Sequence, residues 1–154
     1  MRAQKPREIV VHHTSYKGRP KLSLERKMRG LESFSRRGGK VGTRAKPAWG
    51  DIPYHFYIGA TGRIGEGRDP AYAGDTNTPY DVNGRIQVVV EGHFDQEQPR
   101  PAQLTALRQL LAWLTAKYAI ARTAISAHND HVSTNCPGKN LKSLLPGISA
   151  SLPR

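Results

Sequence analysis

Apolar and polar positions alternate along the chain in a way that predicts a short list of elements. Glu8 to Val11 is a β-branched apolar run that ends in His12 and His13, and it reads as a core strand delivering histidines at its end. From Leu22 to Phe34 the apolar residues Leu24, Met28, Leu31 and Phe34 recur at helical spacing, with Arg26, Lys27, Arg29 and Glu32 between them, which predicts an amphipathic helix with a basic outer face. Tyr54–Gly59 and Arg63–Glu66 flank a turn containing Gly62 and predict a hairpin, with Tyr54 and Phe56 on one face and His55 on the other. Ile86 to Val90 is nearly continuous apolar sequence, expected to be a central strand buried on both faces. Pro101 suits a first helical turn, and Leu104, Leu107, Leu111, Leu114 and Tyr118 mark one stripe of the helix that follows. Asn140 to Leu145 reads as a last short helix ended by Pro146 and Gly147. The order predicts an α/β fold with a central mixed sheet flanked by helices.

Two stretches lack either period. Arg36 to Trp49 contains three glycines, Pro47 and the cations Arg36, Arg37, Lys40, Arg44 and Lys46, and is expected to be a mobile cationic loop. Asp69 to Arg85 is rich in Gly, Pro, Asn, Asp and Thr, and a stretch that long without regular structure is commonly functional or disordered.

The 154 residues suffice for one domain, and 37% hydrophobic with 23% charged residues excludes a disordered tail and a membrane-spanning chain. No apolar run reaches the length of a membrane span or a signal-peptide core, so synthesis in the cytoplasm without a leader, and no membrane insertion, are expected. The formal charge of +12 is unevenly placed: residues 1–50 carry +11 and the rest +1. A local basic surface points to a polyanionic partner such as nucleic acid or the phosphate- and carboxylate-rich bacterial envelope. Cys136 is the only cysteine, so there is no internal disulfide.

His12, at the strand end, and His128 and Cys136 in AHNDHVSTNCPG are ligand-type residues. Catalytic zinc sites use three such ligands and leave a position for water. Spacing alone leaves two readings open: a metal site, or a core-edge histidine with Cys136 as a small buried hydrophobe. Two features bear on the choice. Pro137 and Gly138 fix a turn at the thiol, and strand alternation lets only one of His12 and His13 reach a common site.

The segments VVHHTS at 10–15, WGDIPYHFYIGATGRIGEGR at 49–68, VVVEGHFDQEQPRPAQLTALRQLLAWL at 88–114 and AHNDHVSTNCPG at 127–138 together resemble the zinc-dependent N-acetylmuramoyl-L-alanine amidases. That family includes amidase-type phage lysozymes and peptidoglycan recognition proteins. The resemblance implies one catalytic domain over residues 1–154, with a basic helix and loop at about 17–48. It implies Zn2+ held by His12, His128 and the Cys136 thiolate, catalytic roles for Tyr54 and Thr134, an orienting role for Asp130, and structural roles for His55 and His131. His93 is expected to be an exposed loop residue, and Glu91 a solvated strand-end residue with a weaker claim to donate a proton. The implied reaction is hydrolysis of the amide between N-acetylmuramic acid and L-alanine in bacterial peptidoglycan by a monomeric, endolysin-type enzyme that reaches the wall after release or injection. The basic third would hold anionic envelope polymers. A non-catalytic peptidoglycan-binding module is the first alternative, against which Cys136 argues. A basic nucleic-acid- or polymerase-binding protein ranks below it, since only Phe34 and Trp49 lie near the basic run and no specific nucleic-acid partner is expected. The family often has a histidine after its hairpin where this chain reads AGDTN with Asp75 and Thr76, and the basic loop is longer than usual.

Overall fold

The computed structural model describes residues 1–153. In chain order the elements are β1 (Glu8–His13), α1 (Leu24–Ser35), β2 (Gly39–Val41), β3 (Arg44–Lys46), β4 (Phe56–Ile58), β5 (Ile64–Glu66), β6 (Arg85–Val90), α2 (Pro101–Tyr118), β7 (Ile125–Ala127), α3 (Lys139–Lys142) and α4 (Leu145–Ala150). Five strands form a mixed sheet in the order β5-β4-β6-β1-β7, antiparallel only between β4 and β5. The all-but-apolar run of β6 thus lies at the sheet's centre, as its sequence predicts, and helices cover both faces.

Alternation along the strands sorts the core. Ile9, Val11, Ile86, Val88 and Val90 face α2 and α4, where Leu107, Leu111, Leu114 and Ile148 complete the larger apolar cluster. Tyr57 and Val89 face the other way, against Leu24, Met28 and Leu31 of α1. Among the described residues no helix is long and apolar enough to cross a membrane.

Several expectations need correcting. Lys27 is not on the outer face of α1: it is buried and its Nζ donates to Glu91 Oε2 at 2.7 Å. Glu91 is neither solvated nor free. It is 1% exposed, and its carboxylate also accepts from the backbone N–H groups of Arg19 and Ala60 at 2.7 and 2.8 Å. The pair therefore ties α1, the segment before it and the β4–β5 turn to the end of β6, and removing one partner would strand a buried charge at a cost of about 3–5 kcal/mol. The cationic stretch is not a structureless loop either. Residues 39–46 form the antiparallel β2–β3 hairpin, anchored by Lys46. The Lys46 ammonium is buried, donates to the carbonyls of Ser35, Arg37 and Pro47, and lies 4.2 Å from the centre of the Trp49 ring. Charged as they are, Lys27 and Lys46 serve as internal bolts.

Tyr54 precedes β4 rather than alternating within it, so it packs with the α1 cluster while Phe56 joins the α2 cluster. Pro146 does not end a helix. It sits in the first turn of α4, where its missing N–H costs nothing, and the terminal region holds two short helices instead of one. β7 has no signal of its own in the sequence; three residues suffice because β1 supplies the register.

His55 gives the fold a pH dependence. Its Nδ1 accepts from the Gln87 backbone N–H at 2.7 Å and its Nε2 donates to the Tyr72 carbonyl at 2.9 Å, an arrangement that requires the neutral ring. Burial lowers its pKa from 6.5 to about 4. A folded-state pKa below the unfolded one means the contribution is complete above pH 6.5 and is lost as pH falls toward 4, by about 3 kcal/mol at pH 4. Denaturant titrations of the protein and of His55→Asn should show a stability gap that narrows by about that amount between pH 7 and pH 4. A gap independent of pH would refute this account of His55.

Candidate metal centre

The first of the strand-end histidines turns to the α1 side of the sheet with Gln87 and Val89, and the second turns away. His13 Nδ1 accepts from the Phe94 N–H at 3.2 Å, on the side of α2. His128 follows directly on β7, whose Ala127 pairs with Val11 of β1, so parallel pairing sets the two imidazoles side by side. Their ring centres are 4.4 Å apart. Cys136 arrives from a loop held at several points: its N–H donates to Thr134 Oγ1 at 3.3 Å and its carbonyl accepts from the Asn129 N–H at 3.0 Å. Gly138 completes this turn with φ of +85°, where a Cβ would lie 2.5 Å from the Phe94 carbonyl carbon, so only glycine fits. One ligating atom each from His12, His128 and Cys136 then lies within 4.8 Å of the others.

The donor atoms fit a soft divalent cation. His12 Nδ1 is 3.6 Å from Cys136 Sγ, while His12 Nε2 is 2.5 Å from Gln87 Oε1. His128 Nε2 is 2.9 Å from Thr78 Oγ1, which leaves His128 Nδ1 buried with no hydrogen-bond partner. Burial lowers His12 to about 3 and His128 to about 4, each additionally through the nearby imidazoles, so both rings are neutral with a lone pair to offer. Burial likewise pushes the Cys136 thiol up to about 12, against the opposing hydrogen bond from the His13 N–H. A cation at this point would reverse the cost of the thiolate and satisfy the orphaned nitrogen. Two imidazoles and a thiolate suit zinc.

Tyr54 borders the triad, its ring 5.3 Å from that of His12. Burial raises its phenol well above the usual range, so the hydroxyl remains protonated at neutral pH and acts as a donor. Tyr54 also lines a groove of about 580 Å³ together with Tyr16, Arg19, Leu31, Phe34, Trp49 and Val41 of the β2–β3 hairpin. Thr134 is half-buried, and because its Oγ1 accepts from the Cys136 N–H its own proton is free to be donated.

Other sequence expectations fare differently. The Asp130 carboxylate makes no hydrogen bond to the His128 ring. It accepts from the Ala127 N–H at 2.8 Å and pairs with Lys142, holding the turn after β7. The Glu91 carboxylate is taken up by Lys27 and by the backbone N–H groups of Arg19 and Ala60. His93 is half-buried with an unpartnered Nδ1 instead of lying exposed. His131 bonds to Ser126 Oγ at 2.8 Å, and His55 is held by the Gln87 N–H. Gln87, Thr78 and Tyr80 also reach the imidazoles. Gln87 had a signal, as the one polar residue in IQVVV, whereas Thr78 and Tyr80 are hidden in the irregular segment.

A family model described as N-acetylmuramoyl-L-alanine amidase matches residues 2–139. The structure of N-acetylmuramoyl-L-alanine amidase LysC from Clostridium intestinale URNW superposes with a TM-score of 0.69 at 30% identity, covering 96% of this chain and 85% of that one. Peptidoglycan-recognition protein SD of Drosophila simulans is 26% identical over 145 residues, 91% of this chain and 71% of that protein. The endolysin of Enterobacteria phage T3 is 35% identical over 99 residues, 61% of this chain and 64% of that protein.

Proposed function

The chain belongs to the N-acetylmuramoyl-L-alanine amidase family, and from that premise we propose that it is a zinc-dependent, endolysin-type hydrolase, a single catalytic domain cleaving the amide between N-acetylmuramic acid and L-alanine in bacterial peptidoglycan. The convergence of His12, His128 and Cys136 carries this reading. His12, His128 and Cys136 would hold the zinc, which when bound would supply a Lewis acid for the amide carbonyl and for the attacking water at neutral pH. Tyr54, a neutral phenol lining the groove, donates a hydrogen bond to the oxygen on which negative charge develops and, through water, relays to the departing amine the proton that the attacking water gives up. Thr134 offers a second donor beside Cys136. Loss of one such donor lowers turnover on the order of a hundredfold or more. The groove beside Tyr54 receives the substrate. A recognition module without catalysis would have no need of the thiol, and Cys136 with its Gly138-dependent turn therefore favours the hydrolase.

The basic first third holds the enzyme on anionic envelope polymers. With Lys27 and Lys46 internal, the cations that face solvent there include Arg26, Arg29, Arg36, Arg37, Lys40 and Arg44. The site of action is the wall, reached from the cytoplasm as an endolysin.

Purified peptidoglycan digested by the protein should yield new L-alanine amino termini, a release abolished by a chelator and restored by zinc. New reducing sugar ends, or release indifferent to chelation, would contradict the proposal. Replacing Arg36, Arg37, Lys40 and Arg44 together by Gln should weaken wall binding at low salt and leave binding at high salt nearly unchanged, because exposed charges are screened within about 8 Å at physiological ionic strength. Wall binding equal to the parent's at low salt would remove the role given to the cationic hairpin.

A further inference from the structure

The irregular segment between β5 and β6 has no part in the catalytic scheme, yet it touches both imidazoles. Its first half is fastened to the body of the fold. The Arg68 guanidinium is buried, donates to the carbonyls of Ala73 and Asp51, and pairs with the Asp75 carboxylate. The Ala73 N–H donates to the Arg2 carbonyl at 2.8 Å. The chain then passes over the metal centre. Thr78 Oγ1 is 2.9 Å from His128 Nε2 and 2.7 Å from Thr76 Oγ1. The Tyr80 hydroxyl donates to Gln87 Oε1 at 2.9 Å, the same oxygen that faces His12 Nε2. The Tyr80 ring lies 5.0 Å from that of His128 and stacks on His131 at 5.7 Å.

These contacts fix protons. Gln87 Oε1 is an acceptor only, so with Tyr80 as one donor the ring of His12 is the other and carries its hydrogen on Nε2. With its own hydroxyl hydrogen directed to Thr76 Oγ1, Thr78 Oγ1 is the acceptor for a hydrogen on His128 Nε2, the one arrangement that leaves no N–H on the unpartnered His128 Nδ1. In both rings the lone pair is thereby left on Nδ1, the nitrogen that in His12 faces Cys136 Sγ and in His128 has no other partner. We propose that residues 76–80 form a strap that sets the metal affinity of the centre, Thr78 directly and Tyr80 through Gln87 acting as positioning residues that hold each imidazole in its ligating tautomer and orientation. The proposal rests on the reading of His12, His128 and Cys136 as a metal site. Because coupling is reciprocal, a cation bound there also steadies the strap.

The test is zinc affinity, measured by competition with a chromophoric chelator on the intact protein, together with the visible spectrum of the Co2+-loaded form. Thr78→Val and Tyr80→Phe, which keep shape and remove a hydroxyl, should each weaken zinc binding by about tenfold to a hundredfold and alter the cobalt spectrum. Thr78→Ser should restore the parent's affinity. In the unmutated protein, hydrogen exchange of the backbone amides of Thr76, Asn77, Thr78 and Tyr80 should slow when zinc is added. Zinc binding by the parent that is unchanged in Thr78→Val and Tyr80→Phe, or exchange in the strap that ignores zinc, overturns the strap and leaves the hydrolase reading standing. A parent chain that takes up no zinc overturns both.

Discussion

Two neutral imidazoles and a thiol crowded into one buried corner are costly neighbours, because burial removes the water that would otherwise satisfy them and leaves lone pairs facing lone pairs. The fold holds them there all the same. His12 is fixed in the central part of the sheet, His128 by the parallel pairing of β7 on β1, and Cys136 by a turn that tolerates only glycine at position 138. Such a grouping becomes favourable when a cation accepts all three lone pairs, and that requirement explains why so much surrounding structure is spent on orientation.

The rest of the molecule extends outward from this corner. Gln87 and Thr78 hold the outer nitrogens of the rings, and Tyr54 joins the centre to the groove. The groove's far wall is built from α1 and the β2–β3 hairpin, which depend on two buried lysines. Lys27 binds α1 to Glu91 at the end of β6, and Lys46 closes the carbonyl end of α1 while supporting Trp49. A strongly basic segment thus divides its cations between internal anchoring and a solvent-exposed face.

Legibility in the sequence followed the physics of each feature. β1, β6 and α2 are readable because burial imposes a period on the apolar residues, whereas the grouping of His12 with His128 and Cys136 is implied by the family resemblance and left open by spacing alone. Lys27 and Lys46 were misplaced because a buried ammonium is recognised by its partners, Glu91 in one case and three carbonyls in the other, and partners distant in sequence leave no local mark. β7 is too short for a period, and the strap's Thr78 and Tyr80 act through tertiary contacts alone. Pro146 was ambiguous by nature, since proline both stops helices and starts them.

The most direct measurement is the metal content of the purified protein by elemental analysis and native mass spectrometry, repeated for His12→Asn, His128→Asn and Cys136→Ser. One zinc per chain, lost from each variant while its circular dichroism stays that of the parent, is the predicted result. A parent free of zinc even after incubation with the ion, or variants that retain it in full, would contradict the metal centre on which the account is built.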